Sequence, residues 1–133
     1  MSILKNIVDK KNKGEIKAVT VKTYFSEVVG EEIEFKKLPL SEYLKMVEGI
    51  DSGSATTADI IPMMNEMIFN FATMFRDRDS VEAAMSVYTE AETPMDLPEF
   101  IFEGNMSELS EMMEVINSFY DGEVEKARDD IKN

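Results

Sequence analysis

The side chains left here for catalysis are carboxylates, lysines and hydroxyls: 27 Asp and Glu stand against 14 Lys and Arg, with neither histidine nor cysteine. Without imidazole or thiol there is no Ser-His-Asp or Cys-His nucleophile, no histidine base and no thiolate zinc site. The carboxylate run "DRDSVE" supplies Asp77, Asp79 and Glu82. A calcium loop starting at Asp77 needs Gly at position six and Glu at twelve, whereas those positions hold Glu82 and Tyr88. The "DG" of "FYDGE" reads as a helix-stop turn, and Glu108, Glu111 and Glu114 read as one solvated acidic helix face. No glycine-rich phosphate loop is present. These features predict a protein that is not an enzyme, with no metal and no cofactor; a magnesium-dependent carboxylate hydrolase is the weakest alternative.

The elements that would position such residues carry an uneven charge. Residues 1–50 hold nine Lys/Arg and eight Asp/Glu, and residues 51–133 hold five and nineteen, within a net charge of −13. A surface of that sign repels phosphate backbones and anionic membranes, so neither nucleic acid nor membrane is expected as a partner. A basic or apolar protein is the natural complement, although the same charge also keeps an apolar-rich chain soluble. The opening "MSILKNIVDKKNKG" has only the short apolar pairs Ile3-Leu4 and Ile7-Val8, too little for a secretion signal, and the expected location is cytoplasmic.

Residue patterning predicts an α+β, mostly α protein: an N-terminal β-hairpin followed by four to five helices packed as a small bundle. One domain is expected over 1–133, with an arm, hairpin and short helix in 1–50, a flexible connection at 51–58, a helical part at 59–122 and an acidic tail at 123–133. Ile3, Leu4, Ile7 and Val8 recur at helical spacing up to Gly14, in a short amphipathic helix or a frayed arm. "EIKAVTVKTYF" and "EEIEFKKL" read as strands joined through Ser26–Gly30, with Val19, Val21 and Phe25 on one face and Lys22 and Tyr24 on the other. After Pro39, a helix with Ser41 as N-cap and Leu44 and Val47 as its inner edge is expected to stop at Gly49. Later breaks carry capping signals: Asp59 with Pro62 in the first turn, Asp79 with Glu82, Asp96 with Glu99 and stop Gly104, and Asn105 with Glu108 before a helix to Tyr120.

Two helices have an apolar surplus. Residues 60–75 place Ile60, Met64, Met67, Ile68, Phe71, Met74 and Phe75 on one side, with Ile61, Met63 and Ala72 at its edges and Asn65, Glu66 and Thr73 opposite. That stripe is wider than burying one face requires. The segment is too short, and Glu66 too central, for a membrane span. Most of it reads as core, yet Phe69 projects from the polar side, and Met63 and Phe69 are expected to be largely exposed. In Met106–Tyr120 only Glu108 intrudes on an apolar half containing Met112, Val115 and Phe119. Eleven methionines supply adaptable contact surface. The expected partner-binding residues are Met63, Met67, Phe69, Met74, Met112, Val115 and Phe119.

The order of features carries a resemblance. The block "TPMDLPEFIFEGNMSELSEMMEVINSFYDGEVEKARDDIKN" resembles the C-terminal half of tail assembly chaperones of long-tailed phages and prophages of Gram-positive bacteria, with Thr93-Pro94, Glu99, Gly104, Leu109, Ile116 and Gly122 at matching positions. Ile33 to Val47 resembles that family's N-terminal part, so the likeness spans roughly 100 residues and is weakest between Asp51 and Ser80. It implies a non-catalytic, self-associating protein that binds the aggregation-prone tape measure protein in the host cytoplasm, is left out of the finished tail, and has a frameshifted longer form. The alternative from another class is a small acidic inhibitor or nucleic-acid mimic acting on a basic host protein.

Overall fold

A computed structural model describes residues 2–13, 20–48 and 57–121. The alternating segments form an antiparallel hairpin of β1 (Val21–Ser26) and β2 (Glu31–Lys36), in register from Val21 opposite Lys36 to Ser26 opposite Glu31. The loop closes through the Gly30 N–H, which donates to the Ser26 carbonyl over 2.8 Å, with Gly30 at φ +69°. Glycine adopts that left-handed geometry without steric strain. Ile33 and Phe35 point into the core from β2, as strand alternation requires. On β1 the inward face is the polar one, Lys22, Tyr24 and Ser26, while Val21, Thr23 and Phe25 face outward. The reason lies across the interface: Lys22 Nζ donates to Ser118 Oγ at 2.6 Å with the Phe119 ring 5.2 Å away, and the Tyr24 hydroxyl donates to Glu111. Long side chains thus bury their stems and keep their polar tips satisfied.

Among the described residues six α-helices accompany the hairpin: α1 (Ile3–Asn12) before it, then α2 (Leu40–Glu48), α3 (Thr57–Phe71), α4 (Arg78–Val87), α5 (Leu97–Ile101) and α6 (Met106–Ser118). Short 3-10 turns, Thr73–Arg76 and Pro94–Asp96, precede α4 and α5. The mostly helical α+β architecture is the one the patterning predicts. Several boundaries differ. Helix α3 begins at Thr57, so Asp59 is its third residue and Pro62 its sixth, beyond the first turn. The cap of α4 is Asp77 rather than Asp79, because its carboxylate accepts from the Asp79 and Ser80 N–H groups and the Ser80 hydroxyl. Asp96 stands at the N-cap position of α5 as expected, but its carboxylate makes no cap hydrogen bond there; it reaches back to the Thr93 N–H and hydroxyl, closing the 3-10 turn. Asn105 caps α6 as expected, accepting from the Glu108 N–H at 3.0 Å, and Gly104 at φ +65° ends α5 by donating to the Glu99 carbonyl at 2.8 Å. The expected stops at Gly14, Gly49 and Gly122, most of the connection at 51–58 and the tail at 123–133 lie outside the described residues.

Helix α3 is the centre of the bundle, packed against α6, α5 and α2. Met64, Met67, Ile68 and Phe71 of α3 meet Ile33 and Phe35 of the hairpin, Leu97 and Phe102 around α5, and Leu109, Met112 and Ile116 of α6 in one buried cluster. Tyr120, just past α6, closes it by stacking on Tyr43 of α2 with centroids 4.1 Å apart, and its hydroxyl both donates to the Leu38 carbonyl and accepts from the Leu38 N–H. The same contact decides which way α2 turns. Tyr43 and Met46 face inward and the Tyr43 hydroxyl donates to Asn117, whereas the expected inner edge, Leu44 and Val47, lies exposed.

Candidate interaction surface

The sequence-predicted partner-binding residues separate by burial. Met67 and Met112 are fully enclosed and Phe119 is only 7% exposed, so these three are core and cannot present a surface. Their helices meet each other, and the apolar halves that looked surplus in isolation are mutually covered. Met63, Phe69 and Val115 are half-buried against the same cluster, which corrects the expected exposure of Met63 and Phe69. Phe69 packs on Phe75 of the following 3-10 turn, with centroids 5.1 Å apart. Arg76 lies over the Phe69 ring at 5.0 Å and donates to the Phe69 carbonyl at 2.8 Å. Of the seven residues, only Met74 is exposed, at 36%.

The polar assignments shift for the same reason. Asn65 is buried: its side-chain oxygen accepts from the Glu99 N–H at 2.9 Å and its amide donates to the Glu99 carboxylate at 3.3 Å, joining α3 to α5. Glu108 is not solvated either. It is 6% exposed and accepts from the Ser26 hydroxyl and from the Glu27 and Val28 N–H groups at the hairpin loop. Glu111 holds Tyr24, so two of the three carboxylates of the expected acidic face brace the hairpin on α6. Burial first, and then the hydrogen bond to Glu111, push the Tyr24 phenol well above its ordinary range.

Among the apolar side chains the surface presents are three on α2. Leu40, Leu44 and Val47 are each exposed, and their spacing at i, i+4 and i+7 puts them in one narrow stripe. The periodicity signal was present, but Tyr43 and Met46 lie on the adjoining arc of the same helix and take the inward side. An open cleft of about 440 Å³ lies elsewhere, floored by Phe69 and Phe75 and rimmed by Arg76, Arg78 and Glu82. It contains no nucleophile paired with a base. Among the described residues no group of three or more acidic side chains is placed to hold a metal ion, and no helix is long and apolar enough to cross a membrane.

These features define a class: an acidic, mostly helical α+β chain whose candidate site is surface rather than cleft. No protein-family model, curated protein or solved structure matches the chain.

Proposed function

We propose that this protein is a non-catalytic assembly chaperone of a long-tailed phage or prophage, which binds apolar segments of the tape measure protein in the host cytoplasm and keeps them soluble until the tail is built. The observation that carries the reading is the exposed stripe Leu40, Leu44 and Val47 on a chain of net charge −13. An apolar stripe accepts the apolar face of a client helix. The surrounding negative charge then keeps the complex dispersed. Met74 adds an adaptable thioether to the exposed surface.

The phage assignment comes from the resemblance at Thr93-Pro94, Glu99, Gly104, Leu109, Ile116 and Gly122; the binding mode comes from the geometry of α2. An acidic inhibitor of a basic protein has less support, because Glu108 is buried beneath the hairpin loop and Glu111 accepts from the Tyr24 hydroxyl. Salt separates the two. Apolar client binding persists at about 0.5 M salt, where charges are screened within a few ångström, whereas an acidic mimic releases its target. Co-expression with the tape measure protein is the direct test: the client is soluble and co-purifies with the wild-type chain, and it is insoluble alone. A client that stays insoluble in the presence of the wild-type chain overturns the reading.

A further inference from the structure

Two further surfaces of this chain are bare, and each has the chemistry the other lacks. Every residue of the α1 segment from Ser2 to Lys13 is exposed. Its apolar stripe, Ile3, Leu4, Ile7 and Val8, covers nothing, with Ile3 at 77% and Leu4 at 69% exposure. The same segment carries Lys5, Lys10, Lys11 and Lys13 against Asp9 alone, a basic element on an acidic protein. An amphipathic helix this short is marginal in water by itself and gains its stability from packing.

The outer face of the hairpin is the second surface. Val21 and Phe25 stand exposed on it, Phe25 at 58%. The cross-strand pairs Phe25 with Glu32 and Thr23 with Glu34 set two carboxylates beside that apolar strip, and Val21 with Lys36 ends it. A two-stranded sheet with a bare apolar face is a weak unit until a layer covers it. The dimensions agree: a ten-residue helix is about 15 Å long and a six-residue strand about 20 Å.

We propose that α1 of one copy lies across the outer hairpin face of a second copy, and that the exchange is reciprocal, giving a two-fold dimer. Ile3, Leu4, Ile7 and Val8 cover Val21 and Phe25, and the lysine-rich end of α1 lies toward Glu32 and Glu34, away from Lys36. The occupant is a second copy because the charge match is internal to the chain and α1 stands clear of its own body. A two-fold exchange also makes each copy donor and acceptor at once, so both bare surfaces are covered with none left to propagate a filament. The dimer stands independently of the client: the α2 stripe takes no part in it.

The test is the mass in solution, by sedimentation equilibrium at low salt, of the wild-type chain and two charge variants. Arm variant Lys10→Glu/Lys11→Glu sets an acidic helix against an acidic face; face variant Glu32→Lys/Glu34→Lys sets a basic helix against a basic face. The wild type is expected at twice the chain mass, and each variant alone dissociates with a Kd at least tenfold higher. An equimolar mixture of the two variants returns to the doubled mass, because each arm then meets a face of opposite charge. All substituted side chains are exposed, and a retained cooperative melting transition shows that the variants are folded. A monomeric wild type overturns the proposal, as does a mixture no tighter than its components. So does sedimentation of the wild-type chain with phosphatidylglycerol vesicles in place of dimerisation, which makes α1 a membrane-surface helix. Client solubilisation, measured separately, is untouched by any of these results.

Discussion

Glu108, in the first turn of α6, accepts the Ser26 hydroxyl of the hairpin at 2.5 Å across 82 residues of sequence. The same carboxylate takes the Glu27 and Val28 N–H groups at 3.0 and 3.1 Å. One buried side chain therefore anchors the hairpin loop on the helix, and no buried side-chain polar atom is left without a partner among the described residues. The helix N-terminus adds a favourable field for the negative charge.

Replacing Glu108 with Ala leaves the Ser26 hydroxyl and two backbone donors without an acceptor. The expected loss is about 3 kcal/mol of unfolding free energy, a large part of what holds a chain of this size together. Urea unfolding followed by circular dichroism checks it, with the midpoint falling and the slope unchanged. Glu108→Gln keeps one acceptor oxygen and should fall between the two.

Tyr120→Phe isolates a second long-range tie. The phenyl ring keeps the stack on Tyr43, while the Leu38 N–H and carbonyl, at 3.2 and 2.6 Å from the hydroxyl, lose that partner. A loss of about 1–3 kcal/mol is expected, and an equal or more stable variant would show that water replaces the hydroxyl freely.

Much of this arrangement was legible in residue order and some was not. Caps and stops are local: Asn105 with Glu108, Gly104 after α5 and Gly30 in the hairpin loop can each be read from a few neighbours. The apolar stripes of α3 and α6 likewise announce core helices. Which face of β1 turns inward is a different kind of fact. Period-two alternation separates Val21 and Phe25 from Lys22 and Tyr24, but only the hydroxyl of Ser118 and the carboxylate of Glu111 make the polar face the inner one. Asn65 looked like a solvated residue until Glu99 met it. In α2 the apolar arc is wider than the area available to bury it, and Tyr120 selects Tyr43 over Leu44.

Stability should fall above about pH 10, the ordinary value for a tyrosine hydroxyl. The folded Tyr24 phenol is held above that value by burial and then by Glu111, and Tyr43 is raised by burial and then by Asp121. Above pH 10 the unfolded chain releases these protons while the folded chain retains them, so the stabilisation present below pH 10 is lost as the pH rises. Tyr24→Phe should flatten this decline, measured as the unfolding midpoint between about pH 9 and pH 11. A decline unaltered by that substitution would assign the effect to other groups.

The acid limb has its own marker in Asp77, whose pKa is lowered chiefly by the Ser80 hydroxyl and then by the Ser80 N–H. Its contribution to capping α4 is present above the ordinary aspartate value of about 3.9 and disappears as the pH falls through the lower folded value. Asp77→Ala should reduce helical circular dichroism at neutral pH, and Asp79→Ala should not.

The stripe on α2 is the centre of the functional proposal, and Leu44→Glu/Val47→Glu tests it most directly. Both side chains are exposed, so the variant should keep the wild-type melting temperature. Co-expressed with the tape measure protein, the wild-type chain should hold the client in the soluble fraction and the variant should lose at least tenfold of it. A variant that solubilises the client as well as wild type, with an unchanged fold, would contradict the assignment of Leu40, Leu44 and Val47 as the client-binding surface.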